Sequence, residues 1–112
     1  MDKAIIGLLE QRFKPDPSVF SILERVRDGV EPYNKIFFYF CNEMADNPNR
    51  LITISLSRLY KVLQMPSNVC QYAIFKYVNA GLLSDHRRGK KRFLVLEDYA
   101  RDDWERLTRL LL

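Results

Sequence analysis

Apolar residues recur at helical spacing over most of the chain, and this pattern predicts its elements. The predicted helices are residues 2–13, 18–27, 33–46, 55–64, 68–80 and 98–111. Three short strands are predicted at 51–54, 82–85 and 92–96, the last being rich in β-branched and aromatic residues. The pattern therefore predicts an α+β protein that is mostly helical. Turn-forming segments at 14–17, 28–32 and 47–49 separate helices rather than domains.

The helix over residues 68–80 is the most informative element. Ser67 follows Pro66 and is expected to cap the first turn, and Gly81 supplies the left-handed residue that ends a helix without steric cost. Placing successive residues 100° apart divides the helix into two faces. The inward face holds Cys70, Ala73, Ile74, Tyr77 and Val78, whereas the outward face holds Asn68, Tyr72, Phe75, Lys76 and Asn79, with Gln71 at the border.

A second short helix lies immediately upstream, and a two-stranded ribbon lies immediately downstream. Met65-Pro66-Ser67 joins the two helices in a tight turn, because proline disfavours helix in the residue before it. Gly89 makes a reversal between the last two strands, and the strand over residues 51–54 could pair with the ribbon that they form. The order helix, strand, helix, helix, strand, strand over residues 33–96 predicts a winged helix-turn-helix. Residues 1–32 would then be an N-terminal helical extension and residues 97–112 a C-terminal helix of the same single domain.

Positive charge is concentrated in this predicted core. Residues 33–96 hold ten Lys and Arg against three Asp and Glu, a net charge of +7, whereas the flanks hold eight basic and eleven acidic residues, a net charge of −3. Five cations fall within six residues, from Arg87 to Arg92. A charge run is often only a solvated face, but cations this close repel one another unless a polyanion neutralises them. Phosphate contact is the better explanation.

The sequence therefore predicts binding to double-stranded DNA. The helix over residues 68–80 would enter a major groove, where amide side chains match the donor and acceptor pair of adenine. The ribbon would lie on the backbone or in the adjacent minor groove. The alternative is a protein-interaction module, with Tyr72 and Phe75 as an exposed anchor patch. The predicted DNA-binding residues are Ser67, Asn68, Gln71, Tyr72, Lys76, His86, Arg87, Arg88, Lys90, Lys91 and Arg92, with Arg58 and Lys61 on the preceding helix.

No enzyme is predicted. His86 is the only histidine and lies among arginines at the turn, where a general base would be exposed. Two cysteines and one distant histidine lack the spacing of a zinc site, and there is no Gly-rich phosphate loop. We expect no catalytic residues, no metal and no cofactor.

The terminal helices carry apolar stripes that could be covered in two ways. In the last helix, Ala100, Trp104, Leu107 and Leu111 share one face. Such stripes either pack onto the core or form a homodimer interface. No run of about 18 apolar residues is present and the first residues lack the features of a signal peptide, so we expect an intracellular protein with no membrane partner.

The chain resembles the small winged-helix proteins encoded by spindle-shaped viruses of thermophilic archaea, the fuselloviruses. The resemblance covers residues 33–111 and rests on the Ser67-Asn68 helix start, the Asn79-Ala80-Gly81-Leu82-Leu83 helix end and the basic ribbon; residues 1–32 match no motif. It implies a viral transcription regulator that binds duplex DNA inside an archaeal host cell. The fold also serves protein and RNA binding in other proteins.

Cys41 and Cys70 leave two alternatives open. In an intracellular protein the default is a pair of buried free thiols. Both residues nevertheless fall on or near the inner faces of helices expected to pack together. Because intracellular disulfides occur in hyperthermophilic sources, the resemblance strengthens the case for a Cys41–Cys70 disulfide.

Overall fold

The elements follow one another in the order that the hydrophobic pattern predicts. The structure is a computed structural model that describes residues 17–111 of the chain, and the predicted helix at residues 2–13 lies outside the described residues. The α+β, mostly helical class is confirmed. The helices are α1 (Pro17–Arg27), α2 (Glu31–Asp46), α3 (Leu56–Leu63), α4 (Ser67–Asn79) and α5 (Arg101–Leu111), with a short 3-10 helix at Asp98–Ala100. The strands are β1 (Ile52–Ser55), β2 (Ser84–Arg88) and β3 (Lys91–Leu96).

The three strands form one antiparallel sheet in the order β1-β3-β2. The expected pairing of the first strand with the ribbon is therefore confirmed. Ile54 pairs with Leu94 and Ile52 with Leu96, and all four side chains are buried. Since cross-strand partners point to the same side of a sheet, these residues define its inner face. β2 is left at the edge, next to solvent.

Trp104 of α5 forms the centre of an aromatic cluster. Its side chain is 0% exposed and stacks on Tyr77 of α4, with ring centroids 5.7 Å apart and planes 5° apart, and on Phe37 of α2 at 5.8 Å. The indole Nε1 donates a hydrogen bond of 2.8 Å to the carbonyl oxygen of Leu82, and the Tyr77 hydroxyl donates one of 2.8 Å to the carbonyl of Tyr33. The indole N–H of Trp104 and the hydroxyl of Tyr77 are thus satisfied while α2, α4 and α5 are held together.

The apolar stripes of the described terminal helices are covered within one chain. Val19, Ile22, Leu23 and Val26 of α1 are buried, as are Ala100, Trp104 and Leu107, while Leu110 and Leu111 are half-buried. Of the two predicted ways of covering these stripes, the structure thus shows packing onto the core of the same chain. A homodimer through terminal helices stays a prediction, because residues 2–13 lie outside the described residues. No helix within residues 17–111 is long and apolar enough to cross a membrane.

The two cysteines are free thiols in the structure, which counts against the Cys41–Cys70 disulfide. Cys41 lies beside α5, with its Sγ 3.3 Å from Thr108 Oγ1. Cys70 is completely buried in α4. Burial raises the pKa of both thiols, so that neither is activated as a thiolate.

One helix end is as the sequence predicts, at Gly81, and two differ from expectation, at Ser67 and Gln64. Gly81 has φ +76° and follows α4, and the Leu82 N–H donates to the Tyr77 carbonyl at 3.1 Å, as in a Schellman motif. The cap predicted at Ser67 is wrong: α4 begins at Ser67 itself, and Pro66 holds the cap position without a side-chain hydrogen bond. α3 ends at Leu63, and its C-cap residue Gln64 is a non-glycine residue with φ +55°.

Candidate nucleic-acid interface

The outer face of α4 carries the polar and aromatic side chains that the helical spacing predicts. Asn68, Gln71, Tyr72 and Phe75 are exposed, whereas the opposite face is buried against α2 and the aromatic cluster. Tyr72 and Phe75 are 60% and 57% exposed, unusually large values for adjacent rings on one helix. The buried face contains Cys70, Ala73, Ile74 and Tyr77, while Val78 is half-buried.

Lys76 lies at the flank of this face. Its Nζ is 5.3 Å from the centre of the Tyr72 ring, within cation–π range. Lys76 is half-buried, and Ser67 and Asn68 are exposed in the first turn of α4. The predicted contacts on α4 therefore lie along one side of the helix, with the lysine beside the aromatic ring rather than in the middle of the face.

β2 and β3 form a tighter and longer hairpin than the sequence predicts. The register pairs Arg87 with Arg92 and Arg88 with Lys91, which leaves a two-residue turn at Gly89-Lys90, with Gly89 at φ +60°. Such a turn favours residues with positive φ. The predicted strand at 82–85 is thus wrong at both ends, and Arg87 and Arg88 lie in β2 rather than at the tip.

Four hairpin cations are free. The side chains of four cations are exposed and make no ion pair or hydrogen bond with any residue between 17 and 111: Arg87, Arg88, Lys90 and Lys91. The register also sets Arg88 directly opposite Lys91 and Arg87 opposite Arg92. Like charges directly opposite one another destabilise an antiparallel pair. The hairpin therefore concentrates positive charge that an external anion would relieve.

Two predicted contacts are instead engaged by acidic residues. Arg92 Nη2 is 2.5 Å from Asp85 Oδ2, and hydrogen bonding to Asp85 raises the pKa of Arg92. His86 Nε2 lies 3.0 Å from Glu97 Oε1. Arg92 thus differs from the other four hairpin cations in having an acidic partner, because the strand register places Asp85 diagonally across from it on the same face of the ribbon. Its contact with DNA stays a prediction.

A groove of about 490 Å³ separates α4 from the hairpin. Asn68, Gln71, Tyr72 and Phe75 line one side, and the Asp85–Arg92 pair lines the other. Tyr60 of α3 also lines it. The structure therefore brings the outward face of α4 and the inward face of the ribbon together. His86 lies on the opposite face of the ribbon, since strand neighbours alternate.

The two basic residues of α3 are exposed but differ in position. By helical spacing, Lys61 is about 100° and Arg58 about 160° around the helix from Tyr60, which lines the groove. Burial raises the pKa of Tyr39 on α2, and the nearby Arg58 charge opposes that increase. Lys61 is therefore closer to the groove, while Arg58 lies toward α2.

Phe75 is an exposed groove residue that the sequence-based list of DNA contacts omits. Its outward position was readable from the helical wheel, but an exposed phenylalanine gives no hydrogen-bonding signal. Among residues 17–111, no group of three or more His, Cys, Asp or Glu side chains could hold a metal ion.

Comparison with known proteins gives no match: no family model, no curated protein and no solved structure is similar to this chain. The resemblance to fusellovirus winged-helix proteins thus gains no support from these comparisons. Any function has to be argued from the residues and their geometry.

Proposed function

We propose that this chain is a duplex-DNA-binding transcription regulator of the winged helix-turn-helix class. In this proposal α3 and α4 are the helix-turn-helix, α4 enters the major groove, and the β2–β3 hairpin is the wing. The order of elements from α2 to β3 supports the class. The outward side chains of α4 face the same groove as the inner side of the hairpin, which is the arrangement needed to contact one duplex with both.

The observation that carries the proposal is the set of free cations on the hairpin, of which Arg88 and Lys91 lie directly opposite each other. Arg87, Arg88, Lys90 and Lys91 have no acidic partner among the described residues, and the ladder sets like charges opposite each other. Phosphate groups along a duplex would neutralise this charge at close spacing. The wing would then supply affinity with little sequence information.

Base recognition falls to α4 in this proposal. Asn68 and Gln71 are exposed amides one helical turn apart, and amides read adenine through its N6 and N7 atoms. Lys61 on α3 and Lys76 on the flank of α4 are available to adjacent phosphates. Sequence reading and charge neutralisation are thereby assigned to different elements.

One observation favours a second function. The exposure of Tyr72 and Phe75 is what a hot-spot anchor for a protein partner would present. In that alternative the chain is a winged-helix interaction module, and its basic hairpin is only a solvated surface. The two functions differ in their dependence on salt, because counterion release occurs only when phosphates are bound.

The deciding experiment is a salt titration of binding to random-sequence duplex DNA. The proposal expects measurable binding at low salt and a linear fall of log affinity with log salt. About four hairpin contacts would give a slope near −3.6 at 0.9 per phosphate. No detectable binding at low salt would refute the proposal and favour the protein-interaction module.

The regulatory role and the source rest on the resemblance alone, and they remain proposals. A regulator that acts as a dimer would bind an inverted repeat with half-sites about one helical turn apart, or a multiple of that. Sedimentation at micromolar concentration tests the dimer without affecting the DNA-binding proposal.

A further inference from the structure

The groove-facing side of α4 combines two kinds of side chain. Asn68, Gln71, Tyr72 and Phe75 occupy relative positions 0, 3, 4 and 7, so they form a single stripe along the helix. Two members are amides and two are aromatic rings more than half exposed. The amides suit adenine, and apolar groups suit the C5 methyl group of thymine, which projects into the major groove.

Within residues 17–111, the groove has no free cation in its lining to bind guanine. Guanine is read in the major groove chiefly by Arg or Lys, which donate to its O6 and N7 atoms. Among the described residues, Arg92 is the one basic residue lining the groove, and its guanidinium is held at 2.5 Å by Asp85. Lys76 lies beside the Tyr72 ring and does not line the groove. Of the free cations, Arg87 shares the face of Arg92 but does not line the groove, and the other three lie in the turn or on the opposite face of the hairpin.

We infer that α4 selects A·T base pairs, with Phe75 and Tyr72 packing on thymine methyl groups and Asn68 and Gln71 bonding adenine. This inference rests on the proposed DNA-binding function and assigns its sequence preference. It makes Phe75 a specificity-determining residue rather than an anchor for a protein. The occupant of the apolar patch is a duplex, because the hairpin that forms the far side of the groove carries the four free cations.

Replacing thymine by uracil isolates the methyl contact. The two bases pair identically with adenine and present the same hydrogen-bonding atoms, so they differ only in the C5 methyl group. Three duplexes of equal length are compared at one salt concentration: one of A·T pairs, the same duplex with uracil in place of thymine, and one of G·C pairs. We expect the A·T duplex to bind most tightly. Uracil should weaken binding about fourfold for each methyl contacted, which corresponds to about 0.8 kcal/mol per buried CH2 group.

The Phe75→Ala variant assigns the effect to a residue. Phe75 is more than half exposed, so the substitution should leave the fold intact, which circular dichroism checks. We expect the thymine-to-uracil ratio to fall toward one in Phe75→Ala, because the ring that packs on the methyl group is removed. Phe38→Ala makes the same chemical change on α2, outside the groove, and should keep the wild-type ratio.

The outcomes separate the two proposals. No binding to any of the three duplexes refutes the proposed function itself. Binding with equal affinity for thymine and uracil duplexes overturns the methyl inference and leaves DNA binding standing. A uracil effect of undiminished size in Phe75→Ala would arise from DNA shape or from another residue, and it would overturn the role given to Phe75.

Discussion

Removing two hairpin arginines should change the salt dependence of DNA binding by a calculable amount. Arg87 and Arg88 are exposed and unpaired within the described chain, so each is free to contact one phosphate. In Arg87→Ala/Arg88→Ala we expect the slope of log affinity against log salt to become shallower by about 1.8. Raising salt from 50 to 200 mM lowers the affinity of both proteins, and the factor by which the affinity falls should be about twelve times smaller for the variant than for the wild type.

The assay is fluorescence anisotropy with a random-sequence duplex at several salt concentrations. Arg106→Ala/Arg109→Ala removes the same two charges from the exposed surface of α5 and is expected to keep the wild-type slope. The hairpin variant should unfold at the same or a higher urea concentration, because it removes like charges that face each other across the ladder. An unchanged slope in the hairpin variant, or an equal change in the α5 control, would refute the assignment of phosphate contacts to the wing.

Three further predictions follow from individual contacts. Asp85→Asn releases Arg92 and removes a negative charge from the groove. Affinity for random duplex DNA at low salt should therefore rise, and the slope of log affinity against log salt should steepen by up to about 0.9. A loss of affinity would contradict this prediction. Trp104→Phe leaves the buried Leu82 carbonyl without its donor and should lower the free energy of unfolding in urea by about 1 to 3 kcal/mol, whereas an unchanged midpoint would show that this bond contributes nothing. Both cysteines should be alkylated in the denatured, unreduced protein, and slowly in the native one because burial raises the pKa of both thiols; absence of labelling without reductant would indicate a disulfide.

The buried half of the structure was largely predictable from the sequence. The inward residues of α4, the pairing of β1 with the ribbon and the left-handed Gly81 all follow from periodicity and glycine chemistry. These features depend on local conformational preference and on the burial of apolar surface, and the spacing of residue types along the chain indicates both. The left-handed Gln64 was not predictable, since no glycine marks the end of α3.

The charged half of the site depended on register, which the sequence did not determine. Five hairpin cations look equivalent in the sequence, yet the two-residue turn at Gly89-Lys90 places Asp85 diagonal to Arg92 and leaves the other four free. A turn one residue longer would shift the ladder and change which residues share a face. The free cations and the neutralised arginine could therefore be distinguished only once the strand pairing was known.

The angle between the two parts of the candidate interface is set by the core rather than by the surface residues. Leu82 lies between α4 and β2, and Trp104 binds its carbonyl while stacking on Tyr77 of α4. One indole therefore holds both the end of the helix and the start of the hairpin. An interface ordered in advance loses less conformational freedom on binding. A change that loosens Trp104 should thus weaken DNA binding although this residue is completely buried and contacts no ligand, because α4 and the wing would have to be aligned at the expense of binding energy.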